Sequence, residues 1–296
     1  MPILINTETT VLVQGITGKE GAKGARAMLD YGTQVVAGVT PKKGGQEVEG
    51  KPVFNSVKEA LDAFPDINVT SIYVPPFAAK AAMLEAIENN IPLISVLTER
   101  IPIQDTAYCL AAAREKNIRI IGPSSLGMLV PGVGRIGTIG GNQARDIFQA
   151  GSIGVISRSG GMTNELSWQI RKAGLGQSTV VHVGGDLLLG TPYADLLQLF
   201  EHDNQTKAVV LFGEHGGSYE FEIVSLIEQK QFTKPLAIYV GGKFAGIFPE
   251  GMNIGHAGAI VGRGQSAAEK ESALRSVGVM IADRYEDLVE LIKPFA

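Results

Sequence analysis

Short apolar runs rich in β-branched residues alternate with helix-length amphipathic stretches along almost the whole chain, the pattern of parallel strands joined by crossover helices. The spacing predicts strands near 10–14, 34–39, 69–74, 92–96 and 118–121, with helices over 19–30, 56–64, 77–89 and 104–115 between them. These runs do not alternate cleanly between apolar and polar residues, which suits strands buried on both faces. Asp105 stands near the start of the last of these helices, where an acid is favourable. From Gly122 to Gly141 (GPSSLGMLVPGVGRIGTIGG) the periodicity lapses, and a domain boundary is expected where this stretch begins. A second series follows, with strands near 153–157, 178–183, 207–212, 235–240 and 278–282 and helices over 161–173, 192–201, 218–229, 266–276 and 284–293. The expected class is α/β throughout, and no visible sequence repeat relates the halves.

Length fits this picture, since 296 residues make two compact units at roughly 100 to 200 residues per domain. Glycine is in surplus, with 37 residues, yet hydrophobic residues make up 45% and no G-X-Y period occurs, which excludes collagen and low-complexity disorder. The surplus sits at strand ends: GITGKEG after the first strand, SRSGG at 157–161, GGD at 184–186, GEHGG at 213–217 and GGK at 241–243. Ligands of open parallel sheets bind beyond the carboxyl ends of the strands, so each half presents a glycine-lined rim to something. The net charge is −4 and the basic residues are dispersed, which argues against a nucleic-acid partner. The single cysteine, Cys109, cannot form an internal disulfide, and the first residues carry no targeting pattern, so a cytoplasmic setting is expected. No apolar run approaches the roughly 20 residues that span a bilayer, and no membrane partner is expected.

The first rim, Gly15 to Gly21 (GITGKEG), follows a strand and opens a helix, the context in which backbone amides cradle a phosphate. Its spacing is G-x-x-G-x-x-G, not the G-x-G-x-x-G of dinucleotide sites. No acid stands at the end of the second strand to hold a free ribose; Lys42 and Lys43 stand there instead. They suit a phosphorylated ribose, which leaves NADP and the 3′-phosphorylated ADP of coenzyme A both open. The purely structural alternative is a tight turn flanked by solvated lysines.

Four histidines occur. His182 lies inside an expected strand and reads as a satisfied core residue, His202 reads as exposed helix-end surface, and His215 in GEHGG could be either. His256 differs, because GHAGA at 255–259 strips bulk from the neighbouring positions and leaves the imidazole approachable. No HExxH or paired CxxC competes for it, no G-x-S-x-G elbow supports a serine hydrolase, and no Walker A sequence supplies a nucleotide site. The SRSGG segment leading into MTNELSWQI resembles a phosphate or carboxylate seat at a helix N-terminus. A histidine that carries a phosphoryl group is coherent with that surrounding.

Taken together, VQGITGKEG at 13–21, GVTPKKGG at 38–45, LTERIP at 97–102, IGP at 121–123, SRSGG, GGD, GEHGG and GHAGAI at 255–260 resemble the α subunits of succinyl-CoA synthetase, within the NDP-forming acyl-CoA ligases. The resemblance covers essentially the whole chain. It implies a Rossmann-like coenzyme A-binding domain over 1–122 and a flavodoxin-like phosphohistidine domain over 123–296. By position, Thr17, Gly18, Lys19, Glu20 and Lys43 would hold the coenzyme A phosphates and ribose, with Leu97, Thr98 and Glu99 along its path. His256 would be the phosphorylated nucleophile and Glu214 its orienting acid. Ser159, Gly160 and Gly161 would donate to the phosphoryl group or the substrate carboxylate, with Asn164 beside them. A β subunit with an ATP-grasp fold would bring ATP or GTP with Mg, and the reaction would form a thioester from a small carboxylic acid.

Three departures fall where that acid should sit. The family's GPNCPG is GPSSLG, with Ser125 in place of cysteine; a tyrosine is replaced by Asn164; and the loop over 241–254 is long. All three lean toward citryl-CoA synthetase and ATP-citrate lyase, which suits a bulkier or hydroxylated acid, whereas GITGKEG and VTPKKGG stay succinate-type. Succinate comes first on overall resemblance. The competing readings are an NADP-dependent oxidoreductase and a non-catalytic coenzyme A-binding module.

Overall fold

The structure is a computed structural model that describes residues 3–244, 256 and 265–296. Its first unit runs β1 (Thr10–Gln14), α1 (Lys19–Tyr31), β2 (Gln34–Val39), β3 (Glu47–Val48), β4 (Lys51–Phe54), α2 (Val57–Ala63), β5 (Val69–Ile72), α3 (Pro76–Glu88), β6 (Leu93–Val96), α4 (Ile103–Glu115) and β7 (Arg119–Ile121). The second runs β8 (Gly127–Val130), β9 (Gly134–Gly137), α5 (Ala144–Ile147), β10 (Ala150–Ser157), α6 (Gly160–Lys172), β11 (Gln177–His182), α7 (Tyr193–His202), β12 (Ala208–Glu214), α8 (Tyr219–Glu228), β13 (Leu236–Gly241), α9 (Ala267–Ser276), β14 (Met280–Ile281) and α10 (Asp287–Ile292).

The central strands are β-branched and buried along their whole length, as in TVLVQ of β1, because helices cover both faces of each sheet. The first sheet has the order β3-β4-β2-β1-β5-β6-β7. Taking its parallel strands in chain order gives 3-2-1-4-5-6, the dinucleotide-fold order, with β3 added antiparallel to β4 at the edge. The second sheet has the order β14-β13-β12-β10-β11-β8-β9. Its parallel strands β10 to β14 read 2-1-3-4-5, the flavodoxin order, extended by β8 antiparallel to β11 and β9 antiparallel to β8. Both parts of the expected fold class are therefore present, the Rossmann-like part first.

The stretch from Gly122 to Gly141, where the sequence pattern lapses, contains the β8–β9 hairpin. Its strands, GMLV and GRIG, are too short and too rich in glycine to show a period. The β3–β4 hairpin is silent because its strands have only two and four residues. The third predicted strand, 69–74, is β5 and ends at Ile72, because Pro75 and Pro76 open α3. Asp105 does lie in the first turn of α4, where it accepts from Lys80 Nζ at 2.8 Å.

The two sheets are fastened to each other. Thr33 after α1 makes a two-way clasp with the backbone of β9, donating to Arg135 O at 2.8 Å and accepting from Arg135 N at 2.9 Å. Thr191 Oγ1 donates to Ile120 O at 2.7 Å. One apolar cluster continues through both, from Val11, Val13 and Met28 to Met128, Ile136 and Val181. This shared core sets the carboxyl ends of the two sheets against one cavity. No described helix is long and apolar enough to cross a membrane.

Candidate functional site

An open parallel sheet forms a crevice where neighbouring strands send their connections in opposite directions. In the first sheet that point lies between β1 and β5, and in the second between β10 and β12. A cavity of about 560 Å³ joins these crevices. Glu20, Tyr73, Val74, Pro76, Leu97, Thr98 and Glu99 form its wall on one side; Ser124, Ser125, Leu126, Thr138, Gly160, Gly161, His182 and His256 form the other.

On the first side, α1 begins at Gly18 with no side chain capping its free amides, so the N-terminus of a 13-residue helix is available to an anion. The helix approaches its own loop very closely: a Cβ at Gly21 would stand 2.1 Å from Gly15 O, so only glycine lets the helix start there. Thr17 Oγ1 donates to Thr40 Oγ1 at 3.1 Å, tying the loop to the end of β2, and Lys43 N donates to Thr40 O at 3.1 Å on the same turn. Lys19, Glu20 and Lys43 are exposed. Thr98 is buried and donates to Val74 O at 2.6 Å, fixing the wall beside Leu97 and Glu99. Of the residues expected to hold coenzyme A, Glu20, Leu97, Thr98 and Glu99 line the cavity, while Thr17, Gly18, Lys19 and Lys43 sit on the adjoining loops.

The second side is electrostatically tighter. His256 Nδ1 lies 2.6 Å from Glu214 Oε1 at the end of β12, which leaves Nε2 as the ring nitrogen free to react. That hydrogen bond raises the imidazole pKa above its ordinary value against the opposing effect of burial. Glu214 Oε2 faces Arg158 Nε at 3.5 Å, and the guanidinium is 1% exposed. Arg158 donates from Nη2 to Asp186 O at 2.8 Å and lies 5.7 Å from the Tyr219 ring centroid. Its Nε and Nη1 have no hydrogen-bond partner among the described residues. Glu214 is thus held between a fixed cation and an imidazole. A Cβ at Gly185 would stand 3.0 Å from the His256 ring, so glycine in GGD is what admits the ring at this depth.

α6 starts at the same cavity. Ser159 is its N-cap, accepting from Met162 N at 3.4 Å, and the amides of Gly160 and Gly161 occupy the first turn where no intrahelical acceptor exists. They can donate to an anionic oxygen beside His256 Nε2. The floor is His182: its Nδ1 accepts from Leu126 N at 2.7 Å and its Nε2 lies 3.1 Å from Arg158 O, which places the proton on Nε2. Burial lowers its pKa to about 4, so it stays neutral in use. It is the satisfied core histidine the sequence indicated. His202 is exposed at the end of α7, and His215 is buried with neither ring nitrogen partnered among the described residues.

Asn164 stands apart from the cavity, with its Oδ1 accepting from Gly140 N at 3.0 Å. Ser125 lines the cavity, yet its hydroxyl donates to His182 O and accepts from Gly127 N at 2.8 Å. The remaining departure, the loop over 241–254, lies from 245 onward outside the described residues, as does GHAGAI apart from His256. Arg158, His182, Glu220 and Lys270 were not indicated as site residues. Arg158 could have been found, since it sits inside SRSGG; the others are brought in from separate elements. Among the described residues no group of three or more His, Cys, Asp or Glu could hold a metal ion.

Comparison with known proteins decides between the readings the residues left open. A CoA binding domain family matches residues 6–100, and a CoA-ligase family matches residues 156–282. The succinate–CoA ligase [ADP-forming] α subunit of Methanothermobacter thermautotrophicus is 42% identical over 98% of this chain and 96% of its own length. The chain belongs to the succinate–CoA ligase α-subunit family. It is a subunit of a CoA ligase with a coenzyme A-binding domain, and the oxidoreductase reading is not favoured. The family includes other acids: the malate–CoA ligase α subunit of Methylorubrum extorquens is also 42% identical, over 95% of this chain and 94% of its own. The ATP citrate lyase of Methanosaeta concilii, solved with (3S)-citryl-CoA, superposes with a TM-score of 0.91 at 26% identity over 99% of this chain. Here the chain spans half the length of the larger enzyme.

Proposed function

We propose that this chain is the phosphohistidine-bearing α subunit of an ADP-forming succinate–CoA ligase. The observation that carries the reading is His256 Nδ1 held at 2.6 Å by Glu214, with His256 and the first residues of α6, Gly160 and Gly161, lining one cavity together with Glu20, Leu97, Thr98 and Glu99. With Nδ1–H donated to the carboxylate, the Nε2 lone pair can take the terminal phosphoryl group of ATP or GTP, releasing the diphosphate. Glu214 then stabilises the charged phosphoimidazole and keeps Nδ1 protonated, which makes imidazole the better leaving group for the next transfer. The substrate carboxylate oxygen attacks phosphorus, the N–P bond breaks, and an acyl phosphate forms. Attack of the coenzyme A sulfur on the acyl carbon expels phosphate and leaves the thioester. Each step needs neutralisation of anionic oxygens more than proton transfer, and the Gly160 and Gly161 amides, with Ser159 at the cap, provide it.

In the same reading Thr17, Gly18, Lys19, Glu20 and Lys43 hold the coenzyme A phosphates and ribose, and Leu97, Thr98 and Glu99 guide its thiol arm along the cavity wall. The nucleotide and its Mg belong to an ATP-grasp β subunit, in a heterodimer or heterotetramer in the cytoplasm; the absence of a Walker A sequence supports this division. Incubating the co-expressed complex with γ-labelled ATP should place an acid-labile, base-stable label on His256. An active complex that acquires no label contradicts the proposal.

The choice of acid has its own test. Ser125 and Asn164 spend their side chains on internal hydrogen bonds, so the two departures most suggestive of a citrate-type acid are structural in part. Succinate therefore stays first. Thioester formation with succinate, malate and citrate measured side by side ranks kcat/KM, and a ratio that favours either hydroxy acid by tenfold reverses the order.

A further inference from the structure

A second pair of buried charges sits directly behind Glu214. Lys270, in α9, has a fully buried side chain, and its ammonium makes three contacts: Glu220 Oε2 at 2.6 Å, Glu214 O at 2.7 Å and Gly216 O at 2.5 Å. Glu220, in the first turn of α8 and itself 1% exposed, spends its other oxygen on Glu214 N, which donates to Oε1 at 3.3 Å. The backbone of residue 214 is therefore gripped at both polar atoms, its N–H by the acid and its C=O by the base, and the two gripping groups are bonded to each other. The next turn of the loop is pinned at Gly216 as well.

A buried ion pair gives little net stability, because the cost of desolvating two charges offsets most of their attraction. Its value here lies in placement. β12 ends at Glu214, where the ladder to β13 carries on as far as His215 N, which donates to Gly241 O at 3.0 Å; the Lys270–Glu220 pair adds a hold on the N–H and C=O of residue 214 itself, the atoms nearest to the carboxylate that must be aimed. We propose that Lys270 and Glu220 are positioning residues for the phosphoryl-accepting histidine, setting the Glu214 backbone so that Oε1 meets His256 Nδ1 while Oε2 stays with Arg158. The proposal rests on His256 as the phosphoryl acceptor. It assigns roles to an acid and a base that touch neither substrate nor imidazole.

Among the described residues, the charged or titratable groups around Glu214 that enter the expected pH behaviour are Arg158 beyond β10, His256, Glu220 of α8 and Lys270 of α9, with Tyr193 of α7 behind Arg158 and Glu99 and His182 on the cavity side. Of these, the Glu214 contact is the largest influence raising the His256 pKa. Loosening Glu214 lowers that pKa, so the acid limb of phosphohistidine formation moves to lower pH even as the rate falls.

The test uses the co-expressed complex and the rate of label transfer from γ-labelled ATP between pH 5 and 9. The double variant Lys270→Met with Glu220→Leu removes both charges together, a replacement that buried pairs commonly tolerate. It should keep its fold and its affinity for coenzyme A, lose about tenfold or more in labelling rate, and shift the acid limb to lower pH. Glu220→Gln is isosteric and carries the same test in a chain whose packing is unchanged; it should move both readings in the same direction by less. A folded variant with the wild-type rate and pH profile overturns the proposal. If the wild-type complex itself shows no label on His256, it is the histidine mechanism that fails, a result distinct from wild-type labelling that the Lys270 and Glu220 variants leave unaltered.

Discussion

The two rims of the cavity are made of the same ingredients and use them in opposite ways. Around α1 the charged groups are exposed and the loop is stiffened from below by Thr17, Thr40 and the glycine contact at Gly21. Around Glu214 the charges are buried and paired with one another, with Arg158 at 1%, Lys270 at 0% and Glu220 at 1% side-chain exposure. A rim that only holds a polyanion can leave its charges in water, where each contributes modestly and can adapt to the ligand. A rim that must stabilise a charge appearing during the reaction is better served by groups whose orientation is already fixed and whose surroundings exclude water.

Breaking the second rim should therefore abolish chemistry and spare binding. His256→Asn should remove thioester formation completely while leaving the coenzyme A affinity of the complex within twofold by calorimetry; a loss of both would mean that the rims are not separable. Glu214→Gln should come next, with a decrease of about a hundredfold in the labelling rate, the scale of losing one preorganised charge contact. The sign of its pH effect follows from the raised His256 pKa: labelling needs an unprotonated Nε2, so it declines as the pH falls through that raised value, and removing the carboxylate moves the decline to lower pH.

His182 sharpens the comparison through stability. Its folded pKa is about 4 against an unfolded value of 6.5, so below 6.5 the unfolded chain binds the extra proton and the folded state loses ground. Between pH 7 and 5 this group alone should remove about 2 kcal/mol from the second unit, using about 1.4 kcal/mol per pKa unit. Thermal melts over that range should show His182→Gln with a lower Tm at pH 7 and a flatter dependence on pH; an equal slope in both proteins refutes the assignment. The smallest effect belongs to the exposed rim. Lys43→Ala should raise KM for coenzyme A by about fivefold, as expected for one solvated charge contact, and leave phosphohistidine labelling unchanged.

The contrast between the rims also explains what could be read from the chain. The buried parallel strands were legible, because β-branched runs such as TVLVQ and AVVLFGE have few other uses, and so were the helices between them. The glycine loops revealed both rims, since close backbone approach leaves a compositional trace. The antiparallel hairpins were silent, with only four residues in each of β8 and β9 and two glycines among those of GRIG. The buried charges were silent for a different reason. Lys270 lies in AAEKESALRS, behind a Ser266–Glu269 capping box, where a lysine looks like ordinary helix surface. Only the fold brings it to Glu214, whose backbone it meets across 56 positions of sequence. Local pattern reports what a residue is next to in the chain; a buried charge network is assembled from residues that are next to each other only in space.

The most direct measurement is a single-turnover chase. The complex is loaded with γ-labelled ATP, freed of nucleotide, and then given succinate and coenzyme A. The account predicts that the label sits on His256 and leaves as inorganic phosphate in one-to-one proportion to succinyl-CoA formed, at a rate no slower than steady-state turnover. Thioester formed while the label stays on the protein, or label found on any other residue, would contradict it.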